Sequence, residues 1–226
     1  MTFQVAAVAM DGAIIGSDRR QIYYQKTATA NTQSSNVKKI VKGDFVVCAY
    51  AGSEPALLMA NAISKLNPSG LERLDWFSHV KKTANEGASE HAFGSRGQDE
   101  VIVARTDQPS NLLMVSKQGT NEATCLEITE RICAGSYAPA RFIMHHLWRD
   151  GATTDDLRPL VLLALAFASK EHPGVVGGGF DLAILRNGTE PVEDTYSETD
   201  ERLIHALSIF ESNMNSGLSA ARSCLG

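Results

Sequence analysis

The sequence predicts an α+β protein, a four-layer αββα sandwich of two stacked antiparallel sheets between helix pairs. Strand-like segments come in groups separated by helices, in the order ββ…β, α, α, βββ, α, α, ββ, α. A doubly wound parallel sheet would instead alternate single strands with single helices. The first strand is apolar without a break from Val5 to Met10, so it needs cover on both faces. No repeat or linker divides the 226 residues, and a single domain over 1–226 is expected.

Phe3 to Met10 reads as that first strand, Asp11-Gly12 as a hairpin turn, and Ala13 to Asp18 as the returning strand. Arg19 to Ser35 is polar, with Tyr23 and Tyr24, and reads as loop or irregular strand. Val37 to Val41 and Phe45 to Ala51 are further strands, the second stopping at Gly52. Ser53-Glu54-Pro55 carries an N-cap hydroxyl, an acid and a first-turn proline, so a helix begins there. Its apolar set, Leu57, Leu58, Ala62, Ile63 and Leu66, runs to Asn67-Pro68, and Ser69 opens a second helix on Leu71, Leu74, Phe77, Val80 and Ala84.

Glu86 to Gln98 has loop composition, and three strands follow at Val101–Ala104, Leu112–Val115 and Ala123–Ile128. Ile132 to Ser136 leads into a helix on Ala140, Ile143, Met144 and Leu147 that Gly151 ends. Thr154-Asp155-Asp156 caps the next helix, on Leu157, Leu160, Val161, Ala164, Leu165 and Ala168, which stops at Lys170 to Gly174. Strands at Phe180–Leu185 and near Val192 precede a C-terminal helix from Thr199 through Leu203, Leu207 and Phe210.

Composition narrows the function. With 43% hydrophobic and 21% charged residues the chain has ordinary globular composition and too much apolar content for disorder. A net charge of −5 offers no positive field for a polyphosphate backbone, so no nucleic-acid partner is expected. Its longest apolar stretches, Phe45–Ala51 and Leu160–Ala168, fall far short of the roughly 20 residues a membrane span requires. The apolar start from Val5 lacks a basic lead and is cut off by Asp11, so a cytoplasmic location is expected.

No C-x-x-C relates Cys48, Cys125, Cys133 and Cys224, and all four are expected to be reduced. His145 and His146 are adjacent, hence about 100° apart on a helix, and do not share a metal. Gly177-Gly178-Gly179 lacks the Lys-Ser/Thr of a phosphate loop, and Gly135-Ser136 lacks the second glycine of a serine-hydrolase elbow. No cofactor and no metal are expected.

One positional feature remains. If Met1 is removed, which a small second residue favours, Thr2 carries a hydroxyl nucleophile and a free α-amine on one residue. An unperturbed α-amine titrates at about 7.7–8.0 and serves as a base near neutrality.

Thr2, Gly16-Ser17-Asp18-Arg19, Asn36-Val37-Lys38-Lys39-Ile40, Tyr50-Ala51-Gly52-Ser53 and Ala134-Gly135-Ser136 occur in that order over most of the chain. With them the sequence resembles the proteasome β-subunit/HslV-like family of N-terminal nucleophile hydrolases. The resemblance is to a bacterial proteasome homologue, without a long propeptide before Thr2. Anbu and related bacterial homologues are among the relatives it leaves open.

The resemblance implies a threonine peptidase with Thr2 as nucleophile and its α-amine as proton carrier. Lys39 would hold the hydroxyl's pKa down, Asp18 would pair with Lys39, and Ser136 would orient the amine. The Gly52 amide would donate to the oxyanion, and Tyr50 would line the pocket for the residue before the cut. The implied partners are polypeptide substrates and copies of the same chain in a single or double ring, with or without an ATP-dependent unfoldase. A catalytically inactive ring subunit acting as scaffold or binding chamber is the alternative. One departure stands out: the family's acid and Ser ahead of Gly-Gly have no clear counterpart here, Gly177 taking the place of the Ser and Glu171 being the nearest acid.

Overall fold

The computed structural model describes residues 2–24, 32–88, 98–134 and 138–225. The first sheet is built on β1 (Gln4–Ala9) and β2 (Gly12–Asp18). A separate two-stranded hairpin joins β3 (Arg20–Tyr24) to β4 (Thr32–Asn36). β5 (Ile40–Lys42) and β6 (Val46–Ala51) begin the second sheet, followed by helices α1 (Glu54–Ile63) and α2 (Arg73–Ala88). β7 (Gln98–Arg105), β8 (Leu112–Gln118) and β9 (Thr124–Ile128) complete that sheet. β10 (Arg131–Ala134), α3 (Ala138–Leu147), α4 (Thr154–Glu171), β11 (Phe180–Arg186), β12 (Val192–Tyr196) and α5 (Glu201–Leu225) follow.

Both main sheets are five-stranded and their paired strands are antiparallel, in the orders β10-β1-β2-β11-β12 and β5-β6-β7-β8-β9. Side chains alternate along each strand, and each alternate set has its own core. Phe3, Val5, Ala7 and Ala9 pack with Ile143 and Met144 of α3 and Leu157, Val161 and Leu165 of α4. Val46, Cys48 and Tyr50 pack with Met59 and Ile63 of α1 and Trp76 and Val80 of α2. A third core draws Ala6, Ile15 and Ala183 from the first sheet and Val47, Ala49, Ile102 and Leu112 from the second. A strand covered on both faces has no solvent side to keep polar, which is why β1 after Gln4 reads as an unbroken apolar run.

Several boundaries move. The stretch expected as loop or irregular strand folds as the β3–β4 hairpin, because backbone pairing from Arg20↔Asn36 to Tyr24↔Thr32 does not depend on apolar side chains. The strand expected at Val37–Val41 begins only at Ile40, leaving Lys39 just before it. Arg131–Ala134, read as a lead-in to a helix, forms an edge strand on β1. Ser53 occupies the α1 N-cap, yet its hydroxyl makes no cap and donates to Asp99 instead. In α4 the cap is Thr153, closing a capping box with Asp156, while the Thr154 hydroxyl donates to Asp11 Oδ2 at 2.9 Å. Cys48 and Cys125 are free thiols, both pushed up by burial, Cys125 to about 11. Among the described residues no helix is long and apolar enough to cross a membrane.

Candidate functional site

The site forms where β2 ends. Asp18 is fully buried there, and among the described residues its carboxylate accepts four hydrogen bonds. The Phe3 amide donates to Oδ1 at 2.9 Å and Lys39 Nζ to the same oxygen at 3.0 Å. The Arg20 amide donates to Oδ2 at 3.1 Å and the Gly177 amide at 3.3 Å. Lys39 is itself 1% exposed and also donates to the Arg20 carbonyl.

Burial pushes the Asp18 carboxyl above its ordinary value, opposed by the Lys39 charge and the N–H groups of Phe3 and Gly177. Burial pushes the Lys39 ammonium down, opposed by Asp18 and more weakly by Asp181, while Arg20 adds to the depression. Removing charge from water outweighs the attraction for both groups, so their proton affinities are drawn toward each other. A lysine so placed is a concentrated positive charge in a poorly screened space, next to whatever precedes Phe3.

That residue is Thr2, 8% exposed and joined through its own peptide bond to the amide that Asp18 holds. Three of the expected residues, Thr2, Asp18 and Lys39, therefore meet at one end of the first sheet. Ser136 lies outside the described residues, as does Met1.

Gly52 ends β6 in an exposed turn at φ +133°, a region that L side chains avoid. A Cβ there would meet Asp99 Oδ1 at 2.3 Å and the Asp99 Cα at 3.0 Å. Asp99, 3% exposed, accepts both the Ser53 amide at 2.7 Å and the Ser53 hydroxyl at 2.8 Å, and so sets the corner. Tyr50 is 4% exposed and belongs to the core shared with α1 and α2, on the opposite face of β6 from Ala49.

Sequence reasoning passed over several contributors. Gly177-Gly178-Gly179, read as no phosphate loop and as a departure from the family pattern at Gly177, lies against Arg19 and Arg20: the Arg19 amide donates to the carbonyls of Gly177 and Gly179 at 3.0 Å each. Glu198, in the turn between β12 and α5, accepts the Gly178 amide at 2.7 Å, whereas Glu171 is exposed at the end of α4. No local pattern marks Glu198; only the tertiary fold brings it here. Gln4, Ser17 and Asp181 are register neighbours across β1, β2 and β11, all buried. The Arg19 Nε lies 3.6 Å from Asp181 Oδ2, and neither amide atom of Gln4 has a hydrogen-bond partner among the described residues. A glutamine inside an apolar strand was the available signal. Among the described residues no three His, Cys, Asp or Glu side chains cluster as a metal site would require.

The fold is α+β and proteasome-like. Solved structures similar to it include the Anbu (Gly-1) mutant from Hyphomicrobium sp. strain MC1, with a TM-score of 0.75 and 16% identity over 98% of this chain and 100% of that one. Anbu (ancestral beta-subunit) from Yersinia bercovieri superposes with a TM-score of 0.74 at 13% identity, covering 96% and 97% of the two chains. The helical assembly of the Anbu complex from Pseudomonas aeruginosa gives 0.70 at 15% identity, over 97% and 96%. No protein-family model matches the sequence, and no curated protein matches it.

Likeness at this identity is likeness of fold. It corrects the expected placement in the proteasome β-subunit/HslV-like family: the structural neighbours are Anbu proteins, proteasome-like but a distinct family. The short motifs misled for a physical reason. In this chain an Asp at a strand end meets a buried Lys just before another strand, and short motifs of that kind do not separate one family from another.

Proposed function

We propose that this chain is a subunit of a self-associating assembly and an N-terminal threonine peptidase, active once cleavage before Thr2 frees its amine. The observation that carries this is the buried Lys39–Asp18 pair, bound through Asp18 Oδ1 to the amide immediately after Thr2. The Thr2 hydroxyl attacks the peptide carbonyl while the α-amine takes its proton, helped by the Lys39 charge that favours the alkoxide. The Gly52 amide and Ser136 complete the proposal, as oxyanion donor and amine-orienting hydroxyl, with Tyr50 bounding the pocket before the cut. Collapse of the tetrahedral adduct expels the amine product, which takes the proton back from the α-ammonium. Water then hydrolyses the Thr2 ester.

The three apolar cores support a four-layer αββα stack in one domain over 1–226. Self-association is supported by the Pseudomonas aeruginosa neighbour, solved as a helical assembly, and by apolar side chains left open at Phe142, Leu147, Ile204 and Ile209. A closed ring, polypeptide substrates, an unfoldase partner and a cytoplasmic location belong to the same proposal.

Intact-mass measurement of the native assembly tests it first: the expected chain begins at Thr2. Thr2→Ala and Lys39→Ala should each abolish cleavage of fluorogenic peptides without changing assembly mass. A residue retained before Thr2 in every mature subunit would leave the scaffold reading instead, and unchanged rates in both variants would move the chemistry elsewhere.

A further inference from the structure

Asp18 Oδ2 is held by two backbone N–H groups from distant parts of the chain, those of Arg20 and Gly177. Glu198 touches both segments. Its Oε2 accepts the Gly178 amide at 2.7 Å, and its Oε1 lies 3.4 Å from Arg20 Nη2. Arg20 in turn supplies the carbonyl that receives Lys39 Nζ. Resting on the peptidase reading above, we propose that Glu198 is a positioning residue for the Thr2 site, clamping the Arg20 and Gly177-Gly178 segments around Asp18 from outside.

Gly177 keeps the space that this reach needs. At φ +134°, a Cβ there would sit 2.4 Å from Glu198 Oε2, 2.9 Å from Ser169 Oγ and 3.2 Å from Arg20 Nη2. The two legs are unequal. The Arg20–Glu198 pair is partly exposed, at 20% and 36%, and forms one wall of an open cavity of about 510 Å³ between α4 and α5. Solvent reaches both legs, but the Arg20 contact is long at 3.4 Å whereas the charge-assisted bond from the Gly178 amide is 2.7 Å, so the latter does most of the holding. The clamp acts through the chain: carboxylate to Gly178, Gly178 to Gly177, Gly177 amide to Asp18, Asp18 to Lys39.

The test uses the full chain processed to Thr2, with Glu198→Met to remove both acceptor oxygens at similar size and Glu198→Gln to keep one. Glu198→Met should lower kcat on a fluorogenic peptide on the order of 10-fold with KM within about a factor of two, as expected for misplaced groups. Glu198→Gln should recover most of that rate, because a carboxamide oxygen still accepts the Gly178 amide. Arg20→Met, which removes only the exposed leg, should lose less than about threefold.

A second readout does not need activity: the titration of Lys39 followed by NMR of 13Cε-labelled lysine. It should move downward by about half a pH unit in Glu198→Met, as Asp18 loses a donor and holds its charge less well, and return in Glu198→Gln. An unchanged Lys39 titration in Glu198→Met overturns the clamp. Equal displacement in Met and Gln also overturns it, since that is the effect of a distant charge and not of positioning. If the wild type cleaves nothing but Lys39 responds as expected, the peptidase reading fails and the clamp stands.

Discussion

Replacing Lys39 and Asp18 one at a time should not cost the same, and the hydrogen bonds say which is dearer. Lys39→Met removes the cation but leaves the Asp18 carboxylate with three N–H donors, from Phe3, Arg20 and Gly177. Those bonds, to a charged acceptor, are individually strong at about 1.5–3 kcal/mol, so the cost should sit near the lower end of the range for a broken buried pair, about 3 kcal/mol. Asp18→Asn is worse on two counts. It leaves the buried Lys39 ammonium without its carboxylate, with the Arg20 carbonyl as a hydrogen-bonded neighbour, and it turns an amide donor toward backbone donors. The first count costs about 3–5 kcal/mol and an unmatched buried N–H adds about 1–3 kcal/mol. The double variant removes both charges and should cost well below the sum of the two, with a coupling of about 2–3 kcal/mol.

Urea unfolding at pH 7 with an unchanged m value measures all three. The pH dependence has a definite sign. In Lys39→Met, burial raises the Asp18 pKa with no cation to oppose it. A raised carboxyl contributes stability fully below its unfolded value of about 3.9 and loses it as pH rises through the folded value. The deficit of Lys39→Met against wild type should therefore open as pH climbs above about 4. A Lys39→Met cost larger than that of Asp18→Asn, or strict additivity in the double variant, would refute the reasoning.

Other outcomes are specific to single residues. Gln4→Met should stabilise the fold by about 1–3 kcal/mol in the same urea assay, because it removes two buried amide atoms that lack partners; a loss of stability would mean that Gln4 has a partner when folded. Gly52→Ala should cost about 1–3 kcal/mol from the positive φ alone and abolish cleavage, since the Cβ collides with Asp99; wild-type activity would remove Gly52 from the site. Asp99→Ala should leave the Ser53 amide without its 2.7 Å acceptor, costing about 1–3 kcal/mol, and should lower kcat by loosening the Gly52 corner. An undiminished kcat would show that the corner holds without Asp99.

How much was legible follows from what each feature depends on. The β1–β2 hairpin was readable because Asp11-Gly12 and the flanking apolar runs are local signals. The β3–β4 hairpin was not, because its pairing is carried by backbone groups among polar residues that look like loop. The α4 cap was placed one residue late, at Thr154 instead of Thr153, since two adjacent threonines offer the same cap chemistry and only the position of Asp11 separates them. Asp18 and Lys39 were singled out only through the family resemblance, and the fold places them beside the residue that follows Thr2; the family itself was corrected by the comparison of folds.

Length, charge, apolar periodicity and the absence of an alternating βαβ pattern determined an α+β chain with strands buried on both faces, and Thr2, second in the sequence, stood out by position alone. Tertiary structure decided what surrounds it. Asp18 and Lys39 are 21 residues apart, Asp18 and Gly177 159, and Gly178 and Glu198 20, with strands β11 and β12 between the last two. Whether such groups meet depends on sheet order and strand ends, which arise from the packing of all three cores together. Burial, the property that moves the Asp18 and Lys39 proton affinities, likewise belongs to the assembled fold and has no counterpart in a short stretch of sequence.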